Sequence, residues 1–259
     1  MAAKAATIPA TRISMATIAI GDIHGNRVLL QDLLTKVVPE VRPEDTLVFL
    51  GDYIDRGPDS RGCVDVILRL KAEARFRVVT LLGNHEQWML RSLRDPTRHS
   101  WLVGMEALET IESYSIEAAG IMIEALEREG ARLFMERMPL PYDVFFDAMP
   151  PAHLAFFQQL QPFHQTPDVI CVHGGVDLNG VPDPDDENVH VWGPLGFPED
   201  YAGNKAVVYG HRNNAVTTGS DRAQPCIGAN RTYGIDTISH AVLTAMRFPD
   251  EKVFQSAGK

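Results

Sequence analysis

The sequence has too little cysteine, too widely spaced, to build a disulfide framework. Only Cys63, Cys171 and Cys226 occur, with no Cys-x-x-Cys pair. Neither a disulfide scaffold nor a structural zinc knuckle is indicated, and a reducing cytoplasm is the expected location. No apolar stretch approaches the ~18 residues of a membrane span, so no membrane partner is expected. No Lys/Arg run interrupts a formal net charge of -10. Such a chain is a poor general binder of nucleic acid. Met1 to Arg12 is Ala/Thr-rich and lacks the continuous apolar core of a signal peptide. Residues 1–15 are expected to be a flexible extension, with Met15 as a second possible start and an ordered strand at 7–14 as the alternative reading.

What is present is globular. Hydrophobic residues make up 45% and charged residues 22% of the 259, enough for a sizeable core in one domain over 16–259. The first third alternates apolar runs with amphipathic stretches. Strands are expected at Thr17–Ile20, Thr46–Leu50 and Phe76–Leu82, with helices at Arg27–Val38, Ser60–Lys71 and from Glu86 to Arg94. That alternation indicates βαβ units. Residues 95–166 carry a helical pattern at Val103–Ser113, Ser115–Arg137 and Pro151–Leu160, read as a helical insertion. Strands return at Asp168–Val172, Lys205–Tyr209, Arg231–Ile235 and Ala241–Phe248. The fold class is α/β.

Five polar loops each follow an apolar strand. The first three are Gly21-Asp22-Ile23-His24-Gly25, Gly51-Asp52-Tyr53-Ile54-Asp55-Arg56-Gly57 and Gly83-Asn84-His85-Glu86, separated by 25 residues each time. Two histidine loops follow, Val172-His173-Gly174-Gly175 and Tyr209-Gly210-His211-Arg212. Strand ends are where α/β sheets place ligands. Asp, Asn and His offer hard oxygen and borderline nitrogen, suited to divalent ions such as Mn, Fe, Zn, Ni or Co. No thiolate belongs to the set. One Asp-x-His alone is more often a satisfied turn than a ligand; five such loops in order carry the signal.

This arrangement resembles the bacterial serine/threonine phosphoprotein phosphatases within the calcineurin-like metallophosphoesterases, over residues 17 to about 247. The resemblance implies a β-sandwich flanked by helices (αββα) and two divalent metal ions, with manganese the expected occupant. It implies that Asp22, His24 and Asp52 hold the first ion. Asp52, Asn84, His173 and His211 hold the second, so Asp52 bridges. A hydroxide shared by the metals would attack phosphorus in line. Arg56 is the expected phosphate clamp, His85 the expected general acid, and Asp55 the group that keeps His85 protonated and oriented. The substrate would be a phosphorylated protein or a small phosphoester.

The sequence departs from the family after Trp192. Gly193 and Pro194 stand where a second phosphate-binding Arg is expected. Arg212 is the candidate replacement, with a plain surface Arg as the alternative. The usual Gly-Gly before the insertion helix is altered to Gly104-Met105. A symmetrical diadenosine tetraphosphatase-like hydrolase is the alternative function, and a catalytically dead binding module a third. Tetraphosphatases of this kind resemble the chain but typically lack an Asp at position 55, so Asp55 favours monoester cleavage. His99, His153, His164, His190 and His240 read as core or surface residues. Asp183, Asp185, Asp186 and Glu187 read as a solvated loop, because the calcium-loop glycine and terminal Glu are missing.

Overall fold

The structure, a computed structural model, describes residues 15–257. The expected 1–15 extension therefore lies outside the described residues, apart from Met15. Ten strands occur among them: β1 Thr17–Ile20, β2 Thr46–Phe49, β3 Arg77–Thr80, β4 Phe163–Gln165, β5 Val169–Val172, β6 Ala206–Tyr209, β7 Cys226–Ile227, β8 Thr232–Gly234, β9 Thr244–Phe248 and β10 Lys252–Gln255. They form two five-stranded sheets, in the orders β10-β9-β1-β2-β3 and β4-β5-β6-β8-β7. Both sheets are mixed. β1, β2 and β3 run parallel, as do β5, β6 and β8; β9, β10, β4 and β7 pair antiparallel at the flanks.

Side chains alternate across each strand, and the alternation sorts them into three apolar layers. Ile18, Ile20, Leu47 and Phe49 face a core shared with helices. Ala19, Val48 and Val79 point the other way, against Val169, Cys171, Val208 and Met246. That middle layer joins the two sheets into a sandwich. Ile170, Val172, Val207 and Tyr209 form a third layer with Val176, Phe197 and Tyr201. Each fully buried Ile or Val contributes on the order of 1.5–3 kcal/mol by leaving water.

Helices α1 (Arg27–Val37) and α2 (Ser60–Glu73) connect β1 to β2 and β2 to β3, as expected for βαβ units. Asp59 starts α2 by accepting from the Gly62 N–H at 2.8 Å. Helix α3 (Asn84–Arg94) begins inside the third polar loop, two residues earlier than the periodicity predicts.

Between β3 and β4 the chain is helical: α4 Ser100–Gly104, α5 Leu108–Tyr114, α6 Ile116–Glu129, α7 Arg132–Met135, α8 Asp143–Ala148 and α9 Pro151–Gln158. Two expected helices are broken here. The Val103–Ser113 pattern divides between α4 and α5, with Glu106 at φ 55° in the joint. The Ser115–Arg137 pattern stops at Gly130, at φ 52°, a conformation that glycine adopts without a Cβ penalty. Two short helices follow β5 and β6, α10 Glu187–Trp192 and α11 Asn214–Thr218. Asp186, from the acidic loop, caps α10 by accepting from the Val189 N–H. No helix among the described residues is long and apolar enough to cross a membrane.

Candidate metal centre

The carboxyl ends of β1, β2, β3, β5 and β6 bring the five polar loops together. Asp52 is their centre. Its Oδ2 lies 3.5 Å from His24 Nε2 and 3.8 Å from His85 Nε2, while its Oδ1 lies 3.3 Å from His173 Nε2. Asn84 Oδ1 stands 2.8 Å from His173 Nε2 and 2.9 Å from His211 Nδ1. Asp22 Oδ2 is 4.0 Å from His24 Nε2, and both Asp22 oxygens accept from the His211 backbone N–H.

Two groups of side chains could each hold an ion, His24–Asp52–His85 and Asp52–His173–His211. Asp52 belongs to both. The sequence reading placed His85 outside the ligands as the acid; here its Nε2 turns toward the same Asp52 oxygen as His24. None of His99, His153, His164, His190 or His240 enters either group.

The backbone is bent to make this convergence. His24, Asp52, Asp55, Arg56 and His211 all have positive φ, between 44° and 69°. Each such non-glycine residue costs on the order of 1–3 kcal/mol and persists only where its surroundings hold it. Glu86 supplies much of that hold. Its buried carboxylate accepts from the N–H groups of Asp52 (3.0 Å), Tyr53 (2.8 Å) and Ile54 (3.2 Å). Glycine is required where backbone passes the acids: a methyl at Gly83 would collide with the Asp52 carboxylate, and one at Gly210 with Asp22 Oδ1.

Electrostatics favour cations at this place. Asp22, Asp52 and Asp236 are all buried, at 2% exposure each. Burial, then the nearby charges of Asp236 and Asp52, pushes the Asp22 carboxyl well above its usual range. Burial drives the His24 imidazole down to about 3 and the His211 imidazole to about 4. Clustered carboxylates beside imidazoles that burial keeps neutral are costly without a positive charge between them. The donor set is oxygen and imidazole nitrogen; Cys63 and Cys171 are buried in the apolar layers instead. The residues therefore fit divalent ions of borderline hardness.

Two ligand candidates are oriented from behind. The Nδ1–H of His24 donates to the Ile54 carbonyl at 2.9 Å, and that of His173 to the Leu50 carbonyl at 3.1 Å. Each leaves Nε2 facing the centre. His85 is held similarly, with Nδ1 2.6 Å from Asp55 Oδ2. Burial opposes protonation of His85, but Asp52 and Asp55 outweigh it and raise its pKa. Asp55 in turn accepts from Trp101 Nε1 at 2.9 Å and Thr110 Oγ1 at 2.6 Å.

Of the two candidate arginines, Arg56 touches the centre, and Arg212 follows the ligand candidate His211 in the chain. Arg56 Nη1 lies 3.1 Å from His24 Nε2. The Arg212 guanidinium sits 6.0 Å from the Phe197 ring, and a methyl at Gly193 would come within 3.5 Å of its Nη2. It thus reaches the place where the sequence has Gly193 instead of an Arg.

Four contributors escaped the sequence reading. Asp236 follows β8 at a strand end, the same signal that marks the other acids. Glu86 lies inside the third polar loop, where no sequence signal sets it apart from an ordinary first-turn helix residue. Trp101 and Thr110 come from the middle helices and carry no local signal.

Comparison with known proteins extends the picture. The family described as Calcineurin-like phosphoesterase matches residues 15–241. Serine/threonine-protein phosphatase 1 of Salmonella typhimurium is 40% identical over 87 residues, 32% of this chain and 36% of that protein. The symmetrical bis(5'-nucleosyl)-tetraphosphatase of Janthinobacterium is 42% identical over 72 residues, 28% of this chain and 24% of that protein. Such curated relatives are matched over 18% to 36% of their own lengths. The structure of a cold-active protein-tyrosine phosphatase from a psychrophilic Shewanella covers 94% of this chain and 80% of its own, with TM-score 0.56 and 16% identity. That last likeness is one of fold.

Proposed function

We propose, from the premise that this chain belongs to the calcineurin-like phosphoesterase family, that it is a two-metal phosphomonoesterase of the serine/threonine phosphatase type. The observation that carries this reading is the sharing of Asp52 between two ligand groups, with the His85–Asp55 pair beside it. Asp22, His24 and Asp52 would hold one ion; Asp52, Asn84, His173 and His211 the other. Bound there, two divalent ions act as Lewis acids toward a phosphoryl oxygen and lower the pKa of water. Manganese is the proposed occupant and the cytoplasm the proposed compartment, consistent with three free thiols.

The protein's own groups account for the rest. Arg56 presents a planar fork that matches two phosphoryl oxygens. His85, held at Nδ1 by Asp55, donates its Nε2 proton to the departing ester oxygen. Asp55 fixes the tautomer by accepting at Nδ1. Arg212 is proposed as a second phosphate contact.

Cleavage of a dinucleoside polyphosphate is the second reading, favoured by the stretch shared with the Janthinobacterium tetraphosphatase. The leaving group decides between the two. A departing phosphate is already acidic and gains little from a proton, so a buttressed His85–Asp55 pair suits an alkoxide. The test is a panel of phosphopeptides, nucleotides and diadenosine polyphosphates assayed with Mn, Mg, Zn and Ni. Turnover of phosphopeptides well above that of diadenosine tetraphosphate supports the proposal; the reverse order replaces it with the second reading.

A further inference from the structure

Among the proposed imidazole ligands, His211 is oriented differently from the others. His24 and His173 each donate Nδ1–H to a main-chain carbonyl and face the centre with Nε2. His211 faces Asn84 Oδ1 with Nδ1, and its Nε2 meets no hydrogen-bond partner among the described residues. A ligating histidine ordinarily has its second nitrogen tied to an acceptor, which fixes the ring and raises its basicity. Without that tie the His211 ring could turn about its last torsion and present carbon in place of Nδ1.

The ring has an aromatic neighbour instead. The Trp192 ring meets the His211 ring edge to face, with centroids 5.5 Å apart and planes at 84°. Trp192 is itself pinned. Its Nε1–H donates to Gln87 Oε1 at 2.9 Å. Gln87, buried, donates from Nε2 to Glu187 Oε1 at 2.7 Å and Asn188 Oδ1 at 3.1 Å, tying the start of α10 to α3. On another side Trp88 packs against Trp192 at 5.0 Å. The indole is thus held by a hydrogen bond and by a second ring, and it presents a firm surface to His211.

We propose that Trp192 is a positioning residue for His211, holding Nδ1 toward the second ion by packing in place of a hydrogen-bond acceptor. The inference rests on the two-metal reading of the centre. It makes the second site depend on the shape of residue 192, whereas a carbonyl-tied ligand would be indifferent to it.

The test is titration of the metal-stripped full chain with Mn²⁺ by calorimetry, alongside thermal unfolding of the metal-free proteins. In Trp192→Leu one of the two ions should bind roughly 10–100-fold more weakly, the scale of losing an outer partner. The other ion should bind as in the native chain. Trp192→Phe keeps a ring against His211 and should stay much closer to native. Two ions bound by Trp192→Leu with native affinities would overturn the proposal. So would equal weakening of both ions in both variants accompanied by a matching fall in Tm, because that pattern reports general damage. A native chain that binds fewer than two ions would remove the shared premise. One that binds two but hydrolyses no phosphomonoester would count against the proposed function alone.

Discussion

His85 Nδ1 and Asp55 Oδ2 are 2.6 Å apart, and both groups are buried, at 1% and 0% exposure. A pair this close and dry keeps a proton on the imidazole by charge and by orientation. On the proposed mechanism, its value depends on how much the leaving group needs that proton.

Serine alkoxide needs it and p-nitrophenolate does not. His85→Ala should therefore cost far more kcat/KM on a phosphoserine peptide than on p-nitrophenyl phosphate. The gap should approach a factor of roughly 10² to 10⁴, the usual worth of general acid catalysis. Asp55→Asn and Trp101→Phe should show the same bias at smaller size. Arg56→Ala should show none, since both substrates carry the same phosphoryl group. Equal losses on the two substrates for His85→Ala, at full metal loading, would leave His85 as a simple electrostatic contact.

Asp52→Asn should impair both ions together, because Asp52 faces both ligand groups. Metal analysis of the purified variant is the measurement. Full loss of one ion with the other retained at native stoichiometry would take the bridge out of the proposal.

Arg212→Ala should raise the inhibition constant for inorganic phosphate and lower kcat/KM by about 1.5–3 kcal/mol, the scale of a hydrogen bond to a charged group. The guanidinium already reaches the glycine that takes the expected Arg's place. An unchanged phosphate inhibition constant would make Arg212 a surface charge.

Asp45 offers a stability test away from the centre. Its Oδ1 accepts from the Ala16 N–H at 2.7 Å and its Oδ2 from the Arg42 N–H at 2.9 Å, fixing the turn before β2 against the start of β1. Burial pushes its pKa up, but bonds from the Arg42 side chain and these two N–H groups outweigh it, and the pKa falls below the usual range. A depressed carboxyl stabilises the fold above the unfolded pKa, about 3.9, and loses that contribution as pH falls through its folded value. Asp45→Asn should cost about 1.5–3 kcal/mol at pH 7. Urea unfolding should show the difference from native shrinking as pH drops below about 4. A difference of constant size down to pH 3 would contradict this account.

What was legible in the sequence is what repeats or stays local. β1 carries four buried residues in a row, and the strand starts at Thr17 as its apolar run predicts. The five donor loops were readable because each follows such a run. β7 has only Cys226 and Ile227 and escaped notice, since two residues show no period. β10, Lys252–Gln255, is exposed at its first two positions and reads as surface. The clusters escaped for a different reason. Thr110 bonds Asp55 from 55 positions away and Trp192 bonds Gln87 from 105. Contacts of that range are set by packing between elements, and no window of sequence contains both partners.

The origin of Trp101 and Thr110 limits how this scaffold could be re-engineered. Both buttresses of Asp55 lie in the segment between β3 and β4, which the family likeness would tempt a designer to exchange for a new specificity. A graft that replaced residues 100–114 wholesale would also remove the Nε1–H and hydroxyl that seat the Asp55 carboxylate. The Asp55 N–H also donates to the Ser60 hydroxyl, a bond that supports the backbone only. On the proposed mechanism, the surface of this segment and the seating of the proton donor are therefore inherited together along one stretch of chain. A successful chimera must carry a Trp and a Thr at these positions, whatever surface it presents to substrate.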